Sequence, residues 1–380
     1  MITKIINGKT VTDEVKEEFV YFDEKEIISV TSEEMPYDNE IDADGGFICP
    51  GFIDLHCHGG GGADFSDGTE DAIRIASDIH LHHGTTSLFP TLMSLGKTDL
   101  RNKLEVFKRI KEKPTNFCGV HLEGPYLSPD QCGAQKGDIL RLPDYKEYTS
   151  ILDEYRISRW SYAPELDSDF GFLSELNKRG VLAAAAHTNA TCSEMLAAEK
   201  CGCKLITHLY SATSTITRKN GFRTAGVTEE AYLSDNIFSE LIADGRHLPN
   251  ELILLAFKLI GSDRLALITD SMRAAGTDIK ESFIGPIDGG VKCIIEDGVA
   301  KLPDRSAFAG SVATTDRLVA TCVKAGVPLT DAVKAMTKTP ARIAGLKNKG
   351  ELKREYHADI VILNSDFKTQ KVIAKGKVIV

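Results

Sequence analysis

The chain has 380 residues, 42% of them hydrophobic and 26% charged, with a formal net charge of −10. That length suits one large α/β domain with a small companion better than a single compact domain of about 100–200 residues. The acidic balance argues against a nucleic-acid or anionic-membrane surface as the main partner, and leaves room for a local basic pocket that takes an anionic small molecule.

The first eight residues, Met-Ile-Thr-Lys-Ile-Ile-Asn-Gly, lack the roughly 7–15-residue apolar core of a signal peptide. No run reaches the ~18 apolar residues that span a bilayer. The nine cysteines are scattered, and most, such as Cys118 and Cys293, sit in apolar runs. Reduced thiols in a cytoplasmic protein are the expectation, not a disulfide framework. Cys201-Gly202-Cys203 is too close-spaced for a redox or zinc motif and reads as packing at a turn.

Up to about residue 48 the chain reads as short strands and turns: 2–6, 19–22 and 27–30 are β-like, with Asn7-Gly8 as a turn signal. The far end reads the same way at 359–363 and 372–380, around a Lys375-Gly376-Lys377 turn. Two β-rich ends flanking a long middle predict one small β domain, residues 1–48 with 350–380.

Between them, residues 49–349 alternate. Apolar strand-like runs fall at 52–55, 86–89, 117–122, 181–186, 204–207, 238–243 and 265–269. Helical patterns fall at 70–83, 98–112, 168–179, 191–201, 249–260, 312–325 and 329–338. Repeated βα units predict a parallel sheet with helical crossovers. At this length a (β/α)₈ TIM barrel is favoured over an open sheet.

In such barrels the chemistry sits where strands end. The runs here are followed by His56 and His58, by Glu123, His187 and His208, and by Asp244-Gly245-Arg246-His247 and Asp270. Five of the ten histidines fall at these positions, which structural roles alone explain poorly. His56 and His58 are two apart on a strand, so both imidazoles share one side and can reach one ion, while Cys57 points away. Imidazole with carboxylate suits Zn²⁺, Fe²⁺ or a similar divalent ion. Gly59 to Gly62 read as a tight turn beside that site. His121 reads as core or as support for Glu123. His80, His82 and His83 read as solvated or helix-end residues, and His357 carries no site argument.

The motifs PGFIDLHCHGG (50–60), GTTSLFPTL (84–92), HLEGPYLSP (121–129) with GAQ (133–135), AHTNAT (186–191), THLY (207–210), ADGRH (243–247), ITDSM (268–272), AGS (309–311), TPARIAGL (339–346) and HADIVIL (357–363) resemble the amidohydrolase superfamily. Within it they are most similar to the N-acetylglucosamine-6-phosphate deacetylases. The resemblance covers essentially the whole chain and implies a TIM barrel with a small β-sandwich from both termini. It implies that His56 and His58 bind one metal, and that Glu123, His187 and His208 bind the one kept across the family. One or two divalent ions per subunit are expected. Asp270 is expected at the metal as well, contacting the metal-bound water as general base and then protonating the leaving amine.

Toward substrate, the resemblance implies Ala134, Gln135, Ser211, Ala212 and His247, with Phe308 lining the acyl or sugar pocket. It also implies a homodimer in which a loop cation reaches the neighbouring subunit's substrate phosphate. The family's His-Arg pair in that loop is replaced by Thr217-Arg218-Lys219-Asn220-Gly221-Phe222-Arg223, where Arg218, Lys219 or Arg223 can serve. The family's Asn-Ala-Met is replaced by Ser211-Ala212-Thr213, and Asp270-Ser271-Met272-Arg273 is also unusual. The expected reaction is deacetylation of N-acetyl-D-glucosamine 6-phosphate. The alternative is a related amidohydrolase acting on another N-acetyl amino sugar, phosphorylated or not, or on an N-acyl amino acid.

Overall fold

In the computed structural model, eight parallel strands form one sheet in chain order. They are β1 Phe52–Cys57, β2 Thr85–Leu92, β3 His121–Glu123, β4 Arg159–Tyr162, β5 Leu182–Ala185, β6 Leu205–Ile206, β7 Phe238–Leu241 and β8 Leu265–Leu267. The structure describes the backbone of all 380 residues and every side chain except that of Lys219. The sheet closes just past β8. Cys57 and Ser271 form a parallel bridge, and the Asp270 N–H donates to the His56 carbonyl at 2.9 Å. The result is the predicted TIM barrel.

Period-two alternation sorts the strand residues into two cores. Ile53, Phe89, Ala184, Leu205, Ile242, Ala266 and Ile268 share one apolar cluster inside the barrel. Phe52, Leu88, Leu122, Trp160, Ala183, Ile206, Leu241 and Leu265 join the larger cluster between strands and helices. The strand β4 has no counterpart among the sequence expectations. Its residues Arg-Trp-Ser-Tyr alternate polar side chains with aromatics, so no apolar run marks it. Trp160 and Tyr162 face the outer core, while Arg159 turns inward to form an ion pair with Glu240 of β7.

Strands from both chain ends build two further sheets. Thr3–Ile6, Phe19–Phe22, Ile27–Thr31 and Asn39–Asp42 form one. In the other, Phe47–Pro50 pairs antiparallel with Ile360–Leu363, so the two ends are joined as expected. Ile5, Val20, Phe22, Ile48, Ile360 and Ile373 pack their shared core. Helices Tyr145–Glu154, Val227–Leu233 and Lys338–Ile343 also escaped the sequence reading. So did a three-stranded antiparallel sheet, Glu281–Ile284, Val291–Glu296 and Val299–Lys301, inserted after β8. Among the described residues, no helix is long and apolar enough to cross a membrane.

Candidate active site

Two backbone devices aim the strand-end side chains into the barrel mouth. The first is a bulge. Asp54 pairs with Leu88 and Cys57 with Pro90, so β1 holds one more residue than β2 over that interval. Leu55 lies in the inner cluster, and His56, the next residue, also faces inward, stacking edge-on against His121 at 4.7 Å. Without the extra residue, His56 and His58 would lie on the outer face. The second device is left-handed backbone: φ is +45° at His187, +32° at His208 and +46° at Asp270. Each such residue costs about 1–3 kcal/mol and is held by its surroundings, a pattern that clusters at functional sites.

The side chains converge on Glu123, which is 4% exposed. His187 Nε2 and His208 Nε2 stand 3.2 and 3.0 Å from its Oε1. His56 Nε2 is 3.5 Å from Oε1 and His58 Nε2 3.3 Å from Oε2. The two Nε2 atoms of His56 and His58 are 3.1 Å apart. Asp270 Oδ1 closes the ring at 3.4 Å from His56 and 3.3 Å from His58. Gln135 Nε2 donates to Glu123 Oε2 at 2.9 Å, and its Oε1 accepts from the Ser94 N–H at 2.9 Å. The His187 Nδ1–H donates to the Gln131 carbonyl at 2.7 Å. A carbonyl only accepts, so that bond fixes the proton on Nδ1 and turns the other nitrogen toward Glu123.

Electrostatics follow from burial and crowding. Burial works against the Asp270 charge, but the His56 and His58 imidazoles overcome it and hold the carboxyl at about 2. Glu123 is likewise held well below the usual range, burial being outweighed by His56, His187 and His208. For His56 burial lowers the pKa, and Glu123 and Asp270 lift it to about 9. His187 rises while His208, on the same oxygen, falls. Both are lowered by burial and raised by Glu123, but His208 also feels the charge of His187.

At the barrel mouth two donor sets fit a divalent ion, His56–His58–Glu123 and Glu123–His187–His208, the ligand atoms of each lying within 4.8 Å of one another. Imidazole nitrogens facing each other and a shared carboxylate, with no lysine or arginine among them, suit Zn²⁺ or Fe²⁺. Beneath lies a polar layer. Arg159 pairs with Glu240 and donates to Leu55 O at 3.0 Å and Thr207 Oγ1 at 2.9 Å. Glu240 Oε2 is 3.8 Å from His56 Nδ1. His121 is held between Thr91 Oγ1 and Ser161 Oγ at 3.0 and 2.8 Å, consistent with its expected place in the core.

A cavity of ≈ 210 Å³ opens over this cluster. Among the residues expected at the substrate, it is lined by Ala134, Gln135, Ser211, Ala212, His247 and Phe308. His247 Nδ1 is 3.0 Å from Asp244 Oδ2, and the Phe308 ring lies 4.9 Å from its imidazole. Arg218 and Arg223 do not line it. They face each other across an exposed hairpin, Thr217–Lys219 with Phe222–Thr224. The Lys219 side chain lies outside the described residues.

Sequence reasoning missed Met93, Ile284 and Ala307 among the cavity walls. Met93 directly follows β2, so the strand-end rule could have found it. Ile284 sits in the inserted sheet, for which there was no signal. His80 lies in the last turn of the helix Glu70–His82, the helix-end place expected for it, but it is not solvated. It is fully buried, with Nε2 2.9 Å from Gly59 O and 3.1 Å from Cys57 Sγ, and burial pushes its pKa down to about 4. The glycines make the room: a Cβ on Gly60 would stand 3.0 Å from His80 Nε2. Gly59–Gly60 pair with Ala63–Asp64 in the expected tight turn, where a Cβ on Gly59 would meet Ala63 O at 2.3 Å.

Residues 47–379 match the model of the amidohydrolase family. The N-acetylglucosamine-6-phosphate deacetylase of Bacillus subtilis is 30% identical, over 100% of this chain and 96% of its own. An N-acetylgalactosamine-6-phosphate deacetylase of Shewanella is 29% identical over 87% of this chain and 81% of its own. Among solved structures, a mutant N-acetyl-D-glucosamine-6-phosphate deacetylase from Mycobacterium smegmatis, in complex with N-acetyl-D-glucosamine-6-phosphate, superposes with a TM-score of 0.91. It is 30% identical and covers 100% of this chain and 99% of its own.

Proposed function

The chain belongs to the amidohydrolase family, and on that premise we propose that it hydrolyses the acetamide of N-acetyl-D-glucosamine 6-phosphate to glucosamine 6-phosphate and acetate. The observation that carries this reading is the meeting of four imidazoles and two carboxylates at the barrel mouth, with Glu123 common to both donor sets. The names of the full-length relatives support the reaction type.

In this reading His56, His58 and Glu123 hold one ion, Zn²⁺ or Fe²⁺, and Glu123, His187 and His208 hold the other. When bound, such an ion polarises a carbonyl and lowers the pKa of water toward about 7. Asp270 accepts the proton of the attacking water on its carboxylate. It then delivers that proton to the amide nitrogen, because an amine does not leave as an anion. Gln135 holds Oε2 of the Glu123 carboxylate beside His58, which leaves Oε1 toward His187, His208 and His56. Asp244 holds His247 by Nδ1 and leaves Nε2 free for a sugar hydroxyl, with Phe308 against the imidazole.

The 6-phosphate needs a cation. Among the described residues, no lysine or arginine lines the cavity of one chain. We therefore assign that role to Arg218 or Arg223 of a neighbouring subunit in a homodimer. Their place on an exposed hairpin supports the assignment. Residues 1–48 with 350–380 are taken as the small β-sandwich and 49–349 as the barrel, a division supported by the pairing of Phe47–Pro50 with Ile360–Leu363. The nine unpaired cysteines support a reducing, cytoplasmic setting.

A second reading keeps the chemistry and changes the sugar, because the galactosamine-type relative is nearly as similar as the glucosamine-type ones. A panel of N-acetylglucosamine 6-phosphate, its galactosamine epimer, both unphosphorylated sugars and an N-acetyl amino acid decides by acetate release. The proposal expects turnover on the glucosamine phosphate, abolished by chelation and weakened in Arg218→Ala or Arg223→Ala. Preference for any other member of the panel, by kcat/KM, overturns the substrate assignment.

A further inference from the structure

Arg273 is a polar residue that the proposed reaction does not use. It is 5% exposed and lies three residues beyond Asp270. Its guanidinium meets Asp67 side-on, Nη1 to Oδ2 and Nη2 to Oδ1, both at 2.7 Å. The same two nitrogens donate to Gly62 O at 3.1 Å and Gly285 O at 3.0 Å. One side chain therefore ties together the segment after β8, the loop after His58 and the inserted sheet beside Ile284.

The surroundings reinforce that knot. The Gly62 N–H donates back to Arg273 O at 2.9 Å, and the Phe65 N–H donates to His58 O at 2.8 Å. Asp67 Oδ1 also accepts from the Ile287 N–H at 2.9 Å, and Asp64 Oδ2 from the Gly285 N–H at 3.2 Å. The loop it holds is rich in glycine, with φ of +62° at Gly61 and +93° at Gly62. Such a loop has much backbone freedom to lose, so it needs an external clamp to hold His58 in place.

We propose that Arg273 is a positioning residue of this site, a bidentate clamp that fixes the His58 loop and the Ile284 wall against the strand end that carries Asp270. This rests on the reading of His56, His58 and Glu123 as ion ligands. Lysine cannot reproduce the forked geometry, since its ammonium is a point donor.

The test uses the full chain, freed of metal and titrated with Zn²⁺, with hydrogen exchange followed over residues 59–68 and 284–287. In Arg273→Met, exchange in both segments is expected to rise, and one Zn²⁺ is expected to bind about 10–100-fold more weakly, the usual cost of losing an orienting partner. The other Zn²⁺ stays at wild-type affinity. Arg273→Lys should recover part of the loss. Asp67→Asn, which keeps the shape of the turn, should reproduce it and serves if Arg273→Met does not fold. Unchanged Zn²⁺ affinities, or unchanged exchange, in folded variants overturn the clamp. A wild type that takes up a single Zn²⁺, unaffected by His58→Ala, overturns the two-ion reading and the clamp with it.

Discussion

The Arg159–Glu240 pair lies inside the barrel under the proposed ion site, its side chains 1% and 0% exposed. Glu240→Gln keeps the volume and removes the charge. Arg159 would then be a buried cation without its countercharge, left to neutral acceptors: the amide oxygen of the substituted side chain, Leu55 O, Thr207 Oγ1 and Ser161 Oγ. Breaking a buried pair on one side costs about 3–5 kcal/mol, because the remaining charge stays desolvated and uncompensated. With unfolding entropy near 2.1 cal/mol/K per residue, a chain of 380 residues loses about 1 °C of Tm for each ~0.8 kcal/mol. The expected fall is therefore about 4–6 °C by scanning calorimetry. Arg159→Met with Glu240→Leu removes both charges and should recover a large part of it, since an apolar replacement of a buried pair is often near neutral. A Glu240→Gln Tm within about 1 °C of wild type would refute the reasoning, as would a double variant no more stable than the single one.

Three further outcomes are expected. Asp270→Asn should lower kcat by about 10²–10⁴-fold while Zn²⁺ uptake through Glu123, His187 and His208 persists; wild-type turnover in that variant rules out the general-base role. The pKa of His83 is raised by its bond to Asp316, and burial of Asp316 is outweighed by His83, which lowers the carboxyl. The histidine's contribution is complete below its unfolded value of about 6.5 and is lost as pH rises through its folded value. The aspartate's is complete above about 3.9 and is lost as pH falls through its folded value. The pair thus stabilises most between about pH 4 and 6.5, and Asp316→Asn should return the His83 titration, read by NMR, toward about 6.5. Among the thiols, exposed Cys201 and partly exposed Cys132 should react readily with a disulfide reagent at pH 8. Buried Cys203, whose thiol burial pushes up to about 12, should react only on unfolding.

Much of this was legible in the order of residues. Hydrophobic runs separated by helical patterns predicted the barrel, because each strand and helix must bury an apolar face. The residues following those runs named His56, His58, Glu123, His187, His208 and Asp270, which the fold brings together. Same-side projection of His56 and His58 needed only the two-residue period of a strand.

What the sequence could not supply was decided by long-range contacts. Arg159 disguised β4, since a buried charge is tolerable only when Glu240, 81 positions away, pairs with it. The His56–His58 pair faces the mouth because β1 carries one residue more than β2 between Asp54 and Cys57, and strand alternation alone predicts the outer face. His80 reads as one polar residue on a helix, yet it fills the space that side-chain-free glycines leave. Local pattern thus determined which residues carry chemistry. Register, bulge and charge pairing, each a property of two segments at once, decided where those residues point.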